Sequence, residues 1–210
     1  MTLSIDILNT DVEITKHIYS ILRKEINKRI VKNSKRVQRT LKSMIRGWIE
    51  QSPEVASLLS QGVPGSLNAL FGLPPGSARG AIEAIINSVE NALEVRVGDV
   101  STNLTGEVVF NFQEESLTNL IALPEGHQIT ELGTDLHWLD WLLKKGDTTI
   151  IKGFFYEPSN AGRSGGGTMK MGGMFRVPPE FAGVDGNNFI TKAFIGKEKQ
   201  ISNALNQILV

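Results

Sequence analysis

The stretch TTIIKGFFYEPSNAGRSGGGTMKMGGMFRVPPEFAG, residues 148–183, joins two β-rich runs through a glycine-rich segment. The first run, TTIIKGFFYEP (148–158), is dense in β-branched and aromatic residues, which suit a pleated and half-buried surface. The second, KMGGMFRVP (170–178), reads as its hairpin partner and stops at Pro178-Pro179, where the ladder loses its donors. Between the runs, residues 162–173 carry six glycines. A phosphate cradle would need G-x-x-x-x-G-K-[ST] leading from strand into helix. Here there is no Gly-Lys-Ser/Thr, the downstream residues are strand-like, and no βαβ unit frames a dinucleotide fingerprint. Glycines lose much conformational freedom on ordering. The segment therefore predicts the tip of a hairpin that becomes ordered against a partner, with Met169, Met171 and Met174 as adaptable apolar contacts. The plainer alternative is an idle mobile loop. Either way the strands are antiparallel, which directs the fold to α+β.

Working outward, LHWLDWLLKKG (136–146) is a compact helix with Trp138, Leu139, Trp141, Leu142 and Leu143, closed by Gly146. LEVRVGDV (93–100) and TGEVVFNF (105–112) alternate and predict a second antiparallel pair, turning through STNLT. Residues 77–93 form an amphipathic helix on Ile82, Ile85, Ile86, Val89 and Leu93. Ser52-Pro53 reads as the cap and first-turn proline of a short helix, PEVASLLS. The C-terminal segment from Phe189 is helical, with Ile190, Phe194, Ile201, Leu205 and Ile208 on one side. The expected architecture is α+β: a small antiparallel sheet of about four strands packed by helices. It divides into a basic helical arm, 1–50, and an α+β domain, 51–210, that holds the glycine-rich hairpin 162–173 and the C-terminal helix.

The arm shows the clearest period. Apolar residues at Ile14, Ile18, Ile21, Leu22, Ile26 and Ile30, then Val37, Leu41, Met44, Ile45 and Trp48, recur at three-four spacing. The polar run VKNSKR (31–36) offers a break into two helices with Asn33 or Ser34 as N-cap. So long an arm predicts that part of it packs on a neighbour. Net charge is zero over 210 residues, yet Lys16 to Arg46 holds eleven Lys/Arg against the single acid Glu25. That segment carries +10 and the remainder −10. Such segregation suits pairing between copies, contact with phosphates, or a merely solvated face. The basic set is Arg23, Lys24, Lys28, Arg29, Lys35, Arg36, Arg39 and Lys42.

Chemistry-bearing patterns are sparse. The chain has no cysteine, hence no disulfide framework or thiolate, which fits synthesis in a reducing cytosol. No apolar run approaches the roughly 20 residues of a membrane span, and the acidic N-terminus does not resemble a signal peptide. The three histidines, His17, His127 and His137, have no H-x-x-x-H spacing, and His137 with Asp135 or Asp140 reads as a local pair. Glu114, Glu115, Asp135 and Asp140 fall in no diagnostic acid–base frame. Ser164 lies in R-S-G-G-G, outside a G-x-S-x-G elbow. The expectation is a non-enzyme with no catalytic residue, metal or cofactor. The two tryptophans, three residues apart, read as core anchors rather than an interface.

The order of these motifs resembles a family of tailed-bacteriophage virion proteins, the neck or tail-completion proteins grouped with minor tail and virion-morphogenesis proteins. The resemblance spans about 50–195: SPEVASLLSQGVPGSLNALFGLPPG (52–76), W-L-x-W-L-L-x-x-G (138–146), the R-S-G-G-G and M-F-R-V-P-P-E-F-A-G blocks, and N-N-F-I-T-K-A (187–193). It implies a structural protein of the phage head–tail junction, assembled in the host cytoplasm into the virion. Such a protein forms a homo-oligomeric ring, expected to be a hexamer, between the portal or connector and the tail-tube or terminator proteins. Alternatives are a tail terminator capping the tube and a DNA-binding accessory protein using non-specific phosphate contacts. Local composition then selects Arg163, Met169, Met171, Met174, Phe175 and Arg176 as partner contacts, and the basic set above as a face for a neighbouring protein or DNA.

Overall fold

The computed structural model describes residues 10–112, 114–129, 133–162 and 165–209. By internal contact the chain divides into two compact units. One gathers the chain up to Leu41, Glu94–Asn111 and the segment from Lys199; the other gathers Lys42–Leu93 and Phe112–Glu198.

The arm is one helix, α1 (Asp11–Glu50), of 40 residues and therefore about 60 Å long. It starts in a capping box: Glu13 N–H donates to Thr10 Oγ1 (3.3 Å), and Thr10 N–H to Glu13 Oε2 (2.9 Å). The expected break at 31–36 does not occur. Asn33 bonds back along the helix, its Nδ2 donating to Arg29 O at 3.0 Å, instead of capping a second helix.

In the first unit, β1 (Leu93–Val97) pairs with β2 (Val108–Phe112). The turn between them is closed by Ser101 N–H to Thr105 O at 2.7 Å, as the STNLT reading expects. The Asn27 amide of α1 reads the backbone of Val100 both ways, accepting from its N–H at 2.8 Å and donating to its carbonyl at 3.4 Å. The last helix, α8 (Glu198–Leu209), belongs here from Lys199 onward. It is separate from α7 (Phe189–Lys192), because Gly196 at φ +72° interrupts the C-terminal helical segment.

The second unit holds α2 (Pro53–Leu59), α3 (Leu67–Leu70), α4 (Ser77–Ala92), α5 (Glu114–Ile121) and α6 (Trp138–Leu143), with α7. Ser52 and Ser66 cap α2 and α3 through side-chain oxygens that accept from Val55 and Ala69 N–H. Leu58, Leu67, Ile85, Ile86, Leu139 and Leu142 are buried, and Trp138 packs against Phe71 with centroids 5.8 Å apart. Asn188 locks the unit's end. It caps α7 and donates from Nδ2 to Leu143 O at 3.2 Å. Gly183 must be glycine, since a Cβ there would collide with the Leu142 carbonyl.

The expected four-stranded sheet is absent among the described residues. The strands form three separate antiparallel pairs: β1–β2, β3 (Gln128–Ile129) with β4 (Asp135–Leu136), and β5 (Ile151–Pro158) with β6 (Gly167–Phe175). β1–β2 and β5–β6 fall in different units, and the cores are built on helices, so no common sheet is needed to bury apolar surface. No described helix is long and apolar enough to cross a membrane.

Candidate functional site

β5 and β6 pair from Ile151↔Phe175 to Pro158↔Gly167. The register shifts between Lys152↔Met174 and Phe154↔Met171, so Gly172 and Gly173 face the single Gly153. This is a β-bulge, and all three glycines take positive φ (+104°, +68° and +82°) that L side chains avoid. Beyond the bulge, Phe154, Tyr156, Met169 and Met171 share one face by alternation and register. The other face carries Phe155 and the Lys170–Glu157 ion pair, 3.5 Å. Met171 is 85% exposed; Phe154, Phe155, Met169 and Met174 are also exposed.

The glycine-rich connection is not the free end the sequence suggests. Gly166 and Gly167 are buried. A Cβ on Gly166 would strike the Ala69 side chain and Val63 carbonyl, and one on Gly167 the Tyr156 ring. Tyr156 Oη donates to Gly166 O at 2.7 Å and accepts from Gly65 N–H at 3.2 Å. These glycines seat the connection on the 63–69 segment. The other end is held as well: Phe175 and Val177 are buried, and Ile150 N–H donates to Phe175 O at 2.8 Å. The exposed part of the hairpin is thus its middle.

This revises the contact set. Met169, Met171, Met174 and Arg176 are exposed, whereas Phe175 is a core residue. Arg163, like Ser164, lies outside the described residues. On α1, Arg23, Lys24, Lys28, Lys35, Arg36 and Arg39 are exposed, and Arg29 bonds Glu25 at 3.2 Å. Lys42 leaves the set: it is half-buried and donates to Glu90 O at 2.6 Å. Arg46 lies beside it, bound to Glu83 (2.8 Å) and Glu90 (2.9 Å). Hydrogen bonds to Glu90 and then Glu83 push its pKa above even the usual arginine value. Beside the first turns of α1, a cleft of about 660 Å³ is lined by Val12, Tyr19, Arg23 and Thr102 among others, with Asp11 the one carboxylate among its described lining residues.

The tryptophan helix is chiefly core, as expected. Trp138 is buried, while Trp141 is half-buried beneath Lys145, whose Nζ lies 4.7 Å from the ring centroid and 2.6 Å from Asp140 Oδ2.

One grouping was missed in the sequence. The register of β3–β4 is Gln128↔Leu136 and Ile129↔Asp135, which sets residue 127 opposite 137. His127 Nδ1 and His137 Nε2 both reach Asp135 Oδ2, at 3.1 and 3.0 Å, and the two rings lie 3.7 Å apart. The hydrogen bond from His127 leads in lowering the Asp135 pKa, with the charges of both histidines adding to it. The signal lay in hairpin arithmetic: H-x7-D-x-H is no helical motif, but it closes on itself across a five-residue connection. Comparison with protein-family models, curated proteins and solved structures finds no match.

Proposed function

We propose that this chain is a structural virion protein of the phage head–tail junction, a neck or tail-completion component that works as a homo-oligomeric ring between the connector and the tail. The observation that carries the docking part of this reading is the middle of the β5–β6 hairpin. Two-stranded ribbons are marginal in water, and this one is fixed at both ends yet presents Phe154, Met169 and Met171 on one exposed face. An apolar face held rigidly outward suits a partner surface. The same segment carries the R-S-G-G-G and M-F-R-V-P-P-E-F-A-G blocks on which the resemblance to that family rests.

The helix α1 adds a second surface, with Ile14, Ile18, Ile21 and Leu22 exposed among the cations. A neighbouring copy supplies acids for such a surface, since the chain outside 16–46 carries −10. The rival with an observation behind it is DNA contact through the exposed cations; a tail terminator uses the same surfaces at a different station.

The test is Met171→Asp. Its side chain is mostly in solvent, so the monomer fold is expected to survive, with an unchanged circular dichroism spectrum. Light scattering is expected to show loss of the ring, and complementation to show heads and tails that fail to join. Normal oligomers together with normal infectious particles from this variant would refute the hairpin's docking role. Steeply salt-dependent duplex binding, lost on neutralising Lys28, Arg36 and Arg39, would favour the DNA reading instead.

A further inference from the structure

We propose that His127, Asp135 and His137 form a binding site for a divalent transition-metal ion of the zinc type. The chain has only three histidines and no cysteine, and two of those histidines converge on one carboxylate. The convergence is built by the backbone. Residues directly opposite in an antiparallel pair point to the same face with Cβ atoms about 5 Å apart, and residues two apart along a strand share that face. The register places 127 opposite 137, and 135 two residues before 137.

The spacing fits coordination. Zinc bonds of about 2.0–2.1 Å in a tetrahedron set neighbouring ligand atoms about 3.3 Å apart. Asp135 Oδ2 is 3.1 Å from His127 Nδ1 and 3.0 Å from His137 Nε2, and one donor atom from each of the three residues lies within 4.8 Å of the other two. Two imidazoles and a carboxylate are ligands that zinc and its neighbours accept, whereas calcium and magnesium prefer all-oxygen sets. Water would complete the tetrahedron.

The ion has a structural task. β3 and β4 have two residues each, too few to hold a hairpin unaided. His137 is also the residue that opens α6, and its side chain makes no capping bond there. An ion held by these three side chains staples the hairpin and ties it to the first turn of the tryptophan helix. Each ring ligates through a lone pair, so it must present an unprotonated nitrogen to the ion, any imidazolium proton going to solvent.

The test uses the full chain without a polyhistidine tag, titrated with zinc chloride by calorimetry and with cobalt(II) by visible absorption. One ion per chain is expected, with the intense d–d bands of tetrahedral cobalt and a raised Tm in zinc. His127→Ala, His137→Gln and Asp135→Asn are each expected to weaken binding at least about tenfold, the low end of what even outer-shell partners contribute. His17→Ala should bind as the parent does. Asp135→Asn keeps the side chain's shape, so a circular dichroism spectrum matching the parent's separates lost ligation from lost fold. Absence of binding at millimolar metal would overturn the proposal, as would binding that all three ligand variants retain. None of these readouts depends on assembly into particles.

Discussion

The two halves of α1 follow one apolar period and meet opposite fates. In the amino-terminal half, Ile18 and Ile21 are 49% and 55% exposed; in the carboxyl-terminal half, Ile45 and Ile49 are fully buried. Charge divides in the same way. Arg23, Lys24 and Lys28 stand in solvent, while Arg46 is bound to Glu83, Glu90 and Asn87 of α4. A stripe at helical spacing therefore marks an apolar face, and does not say whether the rest of the chain covers it.

The sharpest way to break this comparison is to shorten one isoleucine in each half. Ile45→Ala is expected to cost about 2–5 kcal/mol in urea unfolding, through lost transfer energy and the cavity left behind. Ile18→Ala should stay within about 0.5 kcal/mol and weaken self-association instead. Comparable losses of monomer stability in both would make the amino-terminal half core and remove it as a docking surface. Next in size is Arg46→Ala, expected to cost about 1 kcal/mol because the site is partly solvated, with salt reducing the difference. Insensitivity of that loss to salt would point to the packing of the arginine stem rather than its charge.

The smallest effect concerns Glu54, a buried acid in the first turn of α2. Burial raises its pKa, so the folded state holds this proton to higher pH than the unfolded chain. Its contribution is therefore most favourable at acid pH and is lost as pH rises through the folded value. Glu54→Gln should accordingly unfold at slightly higher urea than the parent at neutral pH. That advantage should fade as the pH falls into the ordinary carboxylate range. A growing advantage in acid would reverse the sign and refute the desolvation account.

What the sequence could reveal depended on whether the deciding contact was local. The α1 stripe, the serine cap of α2 and the β5–β6 pairing rest on neighbours in sequence or on one hairpin, and all were legible. The division of the strands into separate pairs, where one sheet was expected, was not. Strand patterns state that a segment wants a partner, not which one, and three short ribbons satisfy them as well as one sheet does. The role of Gly166 and Gly167 was hidden for a related reason. Composition reports freedom, whereas their function is to admit Ala69, Val63 and the Tyr156 ring, which lie 10 to about 100 residues away in sequence. The histidine–aspartate cluster needed a register that no periodicity supplies, because β3 and β4 are too short to show one.

The bulge at Gly172–Gly173 has a consequence for solubility. Among the described residues, β5 and β6 pair only with each other, so each strand has an outer edge that could template another strand. The extra residue breaks the ladder's spacing partway along β6, and the local twist it adds turns the edge out of a flat plane. An incoming strand would find no long run of evenly spaced donors and acceptors. Backbone-driven stacking of copies into fibres is thereby discouraged, and any contact made across this ribbon falls to its side chains.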